Sequence, residues 1–187
     1  MKIGVISDTH GNLNAVRLAL AALGEVDLIV HAGDVLYHPP RLGFTDGYDI
    51  PGTAELFNNL KIPLVISQGN CDAQVYEELL NFPVTAPYAY AQMGSIGLIA
   101  SHGHLMKNTE LIELASRFGA KYAITGHTHI PVLKNVDGIV YMNPGSPSLP
   151  KYELNGRLVP SVGLITDNCT SIISVPDGVV LMHLRND

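Results

Sequence analysis

The chain has 187 residues, with 11 Lys and Arg against 17 Asp and Glu, and a formal charge of −6 with its eight His neutral. At 47% hydrophobic and 15% charged it is too apolar for a disordered chain, and too poor in cations for a surface that tracks a long nucleic acid. One domain per ~150 residues is the usual scale, so residues 1–187 read as a single domain that buries about 70% of its unfolded surface.

In chain order, Lys2 to Ser7 is a short apolar run ending in a polar turn. Asn14 to Leu23 then repeats apolar residues at helical spacing through Val16, Leu20 and Leu23. Asp27 to His31 repeats the strand pattern. A loop rich in Pro, Gly and Tyr, from Tyr37 to Gly52, leads to a helix capped by Thr53 and running through Leu60, and Leu64 to Ser67 is a third buried strand. Asp72 is placed to cap a helix that runs to Leu80. Leu79 to Met106 has no Asp, Glu, Lys or Arg and is long enough to cross a bilayer. Pro83, Pro87, Gly94 and Gly97 interrupt it, leaving two strands, Ala89 to Met93 and Ile96 to Ser101, joined by Gly94-Ser95. Thr109 to Phe118 is an amphipathic helix with Gly119 just past its end. Strands and turns follow: Tyr122 to Thr125, Val132 to Val136, Ile139 to Met142, Gly163 to Thr166, Ile172 to Val175 and Val179 to Leu184. The first part asks for a parallel sheet covered by helices and the last third for antiparallel strands, which is an α/β fold. Cys71 and Cys169 stand far apart with no C-x-x-C pair, and the first apolar run stops too early for a signal peptide, so a reducing, cytoplasmic setting is expected.

The polar residues after these runs share one chemistry. Asp8-Thr9-His10 follows the first strand, Gly33-Asp34 the second and Gly69-Asn70-Cys71-Asp72 the third. Ser101-His102-Gly103-His104 and Gly126-His127-Thr128-His129 follow two later ones. Carboxyl ends of parallel strands share one edge, where ligands bind, so the five segments converge. Taken singly, Asp8 and Asp34 read as helix caps or turn carboxylates, Asn70 as a turn residue, and His127 and His129 as solvated imidazoles. Together, Asp8, His10, Asp34, Asn70, His102, His127 and His129 exceed the needs of one tetrahedral zinc and suit two divalent first-row metals without a thiolate. Asp34, ending a central strand, is the residue to bridge two cations roughly 3.5–4 Å apart, and a water shared by such a pair is a nucleophile near neutral pH. His31 reads as a satisfied core residue and His183 as a solvated strand position.

This order of motifs, D-x-H, G-D, G-N, H and G-H-x-H, resembles the calcineurin-like metallophosphoesterases. Gly69-Asn-Cys-Asp72, Ser101-His-Gly-His-Leu105, Gly126-His-Thr-His-Ile-Pro131 and Asn143-Pro-Gly-Ser146 resemble the YfcE-type bacterial phosphodiesterases within them. The resemblance spans nearly the whole chain. It implies a four-layer αββα sandwich, two mixed sheets face to face between helices. It also implies Asp8, His10, Asp34 and His129 on one metal, and Asp34, Asn70, His102 and His127 on the other. Mn2+ is the first expectation for both, with Ni2+, Co2+, Zn2+ and Fe2+ as the others. Cys71 departs from the broader family, which has a His there to help the leaving oxygen, and His104 is the reserve donor.

The activity expected is in-line hydrolysis of small phosphodiesters by a hydroxide bridging the metals, favouring good leaving groups, with Asp34, Asn70, Cys71 and His104 as catalytic residues. His38 and Arg41, just after Asp34, are candidates for the phosphate's free oxygens, Arg41 through a bidentate fork. Asn12 either faces the phosphate or caps the first helix. Asn143 to Ser146 is expected to form a tight turn supporting the site. The rival readings are a scaffold on the same fold, as in a eukaryotic retromer subunit, and a nuclease acting on polymers, which the charge of −6 disfavours. The apolar Phe82 to Tyr90 segment suggests a homo-oligomer contact. No membrane partner is expected.

Overall fold

The computed structural model describes residues 1–186. Its elements in chain order begin with β1 (Lys2–Ile6), α1 (Leu13–Leu23), β2 (Leu28–His31), α2 (Ile50–Asn58) and β3 (Leu64–Ser67). A 3₁₀ turn (Gln74–Glu78), β4 (Val84–Thr85), β5 (Ala89–Met93), β6 (Ile96–Ala100), α3 (Asn108–Arg117) and β7 (Tyr122–Ile124) follow. The chain ends with β8 (Val132–Val136), β9 (Ile139–Asn143), β10 (Glu153–Leu154), β11 (Arg157–Leu158), β12 (Ser161–Thr166), β13 (Cys169–Ser174) and β14 (Val180–Arg185).

Among the described residues two large sheets result, one in the order β14-β13-β12-β1-β2-β3-β4 and the other in the order β5-β6-β7-β9-β8, with β10-β11 a separate two-stranded hairpin. β1 to β4 are parallel, as are β6, β7 and β9, while β12 to β14, β5 and β8 run antiparallel at the margins. Both faces of each central strand are apolar, so alternate residues enter different cores. Ile3, Val5, Leu28 and Val30 meet Leu98, Tyr122, Ile124 and Met142 between the sheets. Ile6, Ile29 and Ile66 face Val16, Ala19 and Leu23 of α1 and Phe57 of α2. Ile99, Ala123 and Tyr141 face Leu111 and Ala115 of α3. The layers are therefore helix, sheet, sheet and helix, each fully buried Leu or Ile contributing roughly 1.5–3 kcal/mol.

Two local expectations are corrected. Asp49, not Thr53, caps α2 by accepting from the Gly52 N–H, because Pro51 suits the first turn; Thr53 is buried inside the helix. Asp72 caps no helix: the turn it precedes is 3₁₀, and its carboxylate is used elsewhere, as described below. β4 and the β10–β11 hairpin lie outside the expected strands. The expected hairpin between β5 and β6 does turn on Gly94-Ser95, with Gly94 at φ 58°. No helix among the described residues is long and apolar enough to cross a membrane.

Candidate metal centre

The parallel strands deliver their carboxyl ends to one edge. β1 leads into Asp8 and His10, β2 into Asp34, β3 into Asn70, β6 into His102 and β7 into His127 and His129. Among the described residues seven other than glycine have positive φ: Asp8, His10, Asp34, His127, His129, Asp137 and Asn155. The last two precede Gly138 and Gly156 in Asx-Gly turns, where such geometry is ordinary. The other five are all candidate ligands. Left-handed backbone costs of order 1–3 kcal/mol per residue, so the fold holds strain where these side chains must converge.

Neighbouring glycines permit that convergence. A Cβ on Gly69 would stand 2.1 Å from Asp34 Oδ1, and one on Gly126 would stand 1.9 Å from Ser7 Oγ and 2.8 Å from Asp8 Oδ2.

Asp8 is wholly buried, with Oδ2 taking the Ser7 hydroxyl at 2.6 Å and the His127 N–H at 3.0 Å. Its other oxygen, Oδ1, is buried with no hydrogen-bond partner. Around Oδ1 stand the Nε2 atoms of His129 at 3.2 Å, His10 at 3.9 Å and His102 at 4.0 Å. Asp34 Oδ2 lies 3.4 Å from His102 Nε2 and 3.7 Å from His10 Nε2, while its Oδ1 accepts the Cys71 N–H at 2.8 Å. Asn70 Oδ1 is 3.1 Å from His102 Nε2, and the exposed His127 ring lies 5.1 Å from the His102 ring. The seven side chains form one cluster.

Three imidazoles are fixed by their outer nitrogens. Nδ1–H of His10 donates to the Tyr37 carbonyl at 2.7 Å, that of His102 to Ala32 at 2.8 Å, and that of His129 to Leu149 at 2.6 Å. A carbonyl only accepts, so the proton sits on Nδ1 and, in the neutral ring, the Nε2 lone pair points into the cluster. His10 and His129 then aim lone pairs at one another across 3.4 Å. Two nitrogens about 2.1 Å from one cation at a tetrahedral angle stand about 3.4 Å apart.

The electrostatics agree. Burial opposes ionisation of both carboxylates, but His129, His102 and the Ser7 hydroxyl hold Asp8 below the usual range, and His102 with the Cys71 N–H does the same for Asp34. Burial pulls the pKa of His10, His104 and His127 down. Burial opposes protonation of His102 too, yet its bond to Asp34 and both carboxylate charges lift it to about 8. Two buried carboxylates, an unpartnered oxygen and inward lone pairs form a donor set suited to divalent cations.

Asp72 is a residue that sequence reading missed as part of the site. Its Oδ2 accepts the backbone N–H of Asp34 and of Gly69, and its Oδ1 that of Val35, all at 2.8 Å. It ties the β2 and β3 loops together, and burial lifts its pKa to about 6 against the pull of those three donors. The motif had signalled Asp72; the capping assumption hid its partner. Asn143 behaves as expected of a supporting turn, donating to the Gly126 carbonyl at 2.7 Å, and Ser146 donates to the Asp8 carbonyl at 2.8 Å. His31 is the satisfied core histidine expected, accepting from the Gly33 N–H and donating to Thr9, with burial holding its pKa down to about 3.

A cleft of about 710 Å³ opens over the cluster, lined there by His10, Asp34, Asn70, Cys71, His127 and His129. Its outer wall is Pro39, Arg41 and Leu42 on one segment and Ser148, Leu149, Pro150, Lys151 and Leu158 on another. Of the three expected substrate contacts, only Arg41 reaches it. Asn12 accepts from the Ala15 N–H as the α1 cap and donates to the Asp46 carbonyl, so both ends of its amide are occupied. His38 is buried against Phe44 and Tyr48, both ring nitrogens unpartnered, and does not line the cleft. Nor does His104, whose ring packs 5.3 Å from that of His102. Ser148 to Lys151 and Leu158 were not anticipated; the Asn155-Gly156 turn was the available signal for a hairpin at this wall.

A two-sheet sandwich with this donor cluster at its shared strand edge is the architecture of a metallophosphoesterase. The sequence matches the family model for the calcineurin-like phosphoesterase superfamily domain over residues 1–161, and the chain belongs to that superfamily. It is 35% identical to Phosphodiesterase YfcE of Escherichia coli K12 over 98% of this chain and 97% of the relative. The solved structure of YfcE, a phosphoesterase from E. coli, superposes with a TM-score of 0.82 at 30% identity, covering 100% of both chains. Vps29 of Chaetomium thermophilum shares the fold at a TM-score of 0.66 and 14% identity, covering 100% of this chain and 97% of the other. The protein is thus a phosphoesterase of the YfcE type with a buried Asp/His metal-binding cluster.

Proposed function

We propose that this phosphoesterase is a phosphodiesterase acting on small diesters with two divalent cations, Mn2+ first and Ni2+, Co2+, Zn2+ or Fe2+ as the others. The observation that carries this reading is the position of Asp34. One oxygen of its carboxylate faces His10 of one ligand set and His102 of the other, as a shared ligand must. Asp8, His10, Asp34 and His129 would hold one cation and Asp34, Asn70, His102 and His127 the second. When bound, such a pair supplies Lewis acidity toward phosphoryl oxygens and brings water toward ionisation near neutral pH.

The chain's own residues orient the rest. His10, Asp34, Asn70, His127 and His129 line the cleft while Asp8 and His102 stay buried beneath it, so a diester in the cleft meets the donor set with Arg41 on its wall. Arg41 offers two N–H donors to an anionic oxygen. The direct test is hydrolysis of bis(4-nitrophenyl) phosphate by metal-free protein to which each cation is returned. Nitrophenolate release restored by two equivalents is expected; two ions bound without turnover favours the scaffold reading instead.

Cys71 lines the cleft, its Sγ within 4.8 Å of ligand atoms of His10 and Asp34, and Asn70 Nδ2 donates to the sulfur at 3.3 Å. In the metal-free protein burial and the Asp34 charge push the thiol up to about 12, and a neutral thiol is a weaker proton donor than an imidazole. Cys71→His is therefore expected to raise turnover of alkyl monoesters roughly 10²-fold, the usual worth of a positioned acid, while changing aryl diesters little. Indistinguishable substrate profiles for the two proteins would remove position 71 from the chemistry.

A further inference from the structure

The cleft is larger and more apolar than a phosphodiester group needs. Its volume of about 710 Å³ lies in the range of roughly 300–1,000 Å³ that encloses a drug-sized ligand. Leu42 from the loop after β2 lines it, as do Leu149, Pro150 and Leu158 from the segment after β9. Leu42 and Leu158 are 53% and 60% exposed, so apolar surface stands open to an incoming group.

Its charge also exceeds the need. A diester carries one negative charge, which Arg41 alone matches and which the proposed cation pair would more than offset. Lys151 is a further cation on the same wall, and it has no ion pair among the described residues. Its backbone is held in place: the Lys151 N–H donates to the His129 carbonyl at 3.2 Å, and the Leu149 carbonyl accepts from His129 Nδ1 at 2.6 Å. The segment that carries the surplus cation is thus bolted at two points to a candidate metal ligand.

From this juxtaposition we infer that the substrate is an asymmetric phosphodiester with one bulky apolar ester group bearing a second, permanently anionic group, and that Lys151 is the specificity residue that receives it. The apolar body lies against Leu149, Pro150, Leu158 and Leu42, and the distal anion reaches the Lys151 ammonium. The inference rests on the phosphodiesterase reading and adds the class of substrate. Water's oxygen bonds to phosphorus, the bond to the better leaving group breaks with its electron pair on that alkoxide or phenoxide, and the water protons pass to solvent. The anionic arm is retained on the product monoester.

Two matched substrates test it: 4-nitrophenyl 4-carboxyphenyl phosphate and its neutral 4-carbamoylphenyl counterpart, which share nitrophenolate as leaving group. The metal-loaded protein is expected to show a KM about fivefold lower for the carboxylate at similar kcat, the upper range for one partly solvated charge pair. Lys151→Ala brings the ratio of KM values to one and Lys151→Glu takes it past one in favour of the amide. Lys134→Ala, on β8 beside Tyr141, keeps the parental ratio. Calorimetric binding of the corresponding non-hydrolysable phosphonates gives the same ratios without turnover. Hydrolysis of both substrates with equal KM, or a preference that survives Lys151→Ala, overturns the inference and leaves the phosphodiesterase reading standing. Hydrolysis of neither substrate overturns both.

Discussion

Asp34→Asn is expected to lower kcat/KM on bis(4-nitrophenyl) phosphate by about 10³-fold, or about 4 kcal/mol of transition-state stabilisation, and to cut bound metal from two equivalents to at most one. The size of the side chain is unchanged. Its Oδ1 can still accept the Cys71 N–H, and Asp72 still holds the Asp34 N–H, so the loop has every backbone bond it had before. What the amide lacks is a second anionic oxygen between His10 and His102, and an amide nitrogen placed there donates where a lone pair is needed. Elemental analysis and an unchanged melting curve of the metal-free protein separate loss of a ligand from loss of fold. An Asp34→Asn protein as active as its parent would remove the shared carboxylate from the mechanism.

The central strands were readable because each is a continuous apolar run ended by a polar turn, which a parallel sheet buried on both faces requires. The convergence of the candidate ligands was readable for the same reason. Once β1, β2, β3, β6 and β7 are parallel, the residues that end them meet at one edge, and the five motifs need no further information to be placed together. Local partners of single polar side chains were harder. Asp72 and Asp49 each precede a turn, and both satisfy the sequence rule for a cap. Only the fold decides that Asp49 does cap and that Asp72 instead takes two amides from the loop after β2 and one from its own. His38 and Arg41 stand three positions apart in one loop, yet the former turns into an aromatic cage and the latter lines the cleft. No periodicity distinguishes them. The outer wall at Leu149 to Lys151 was invisible in the sequence because its position follows from hydrogen bonds to His129, formed between residues about twenty apart.

Asp72→Ala is expected to destabilise the metal-free protein by about 3–5 kcal/mol, which for a chain of this length shifts the melting temperature by about 10 °C. The carboxylate is buried and accepts three backbone N–H groups, and removing it leaves all three without a partner. Two of those groups carry the chain through Asp34, the third through Gly69 beside Asn70, so the same change frees the loops that bear the proposed shared ligand and one proposed ligand of the second cation. Metal affinity should fall roughly 10–100-fold, as for other supporting partners of ligating residues. Asp72→Asn is graded between the two: its Oδ1 can keep the Asp34 and Gly69 N–H groups, while its NH₂ meets the Val35 N–H donor to donor. The ordering parent, Asn, Ala should therefore appear in both melting temperature and metal affinity. An Asp72→Ala protein that melts with its parent but binds metal weakly would confine the residue to aiming Asp34, and one that binds metal normally would sever the tie between the two loops and the site.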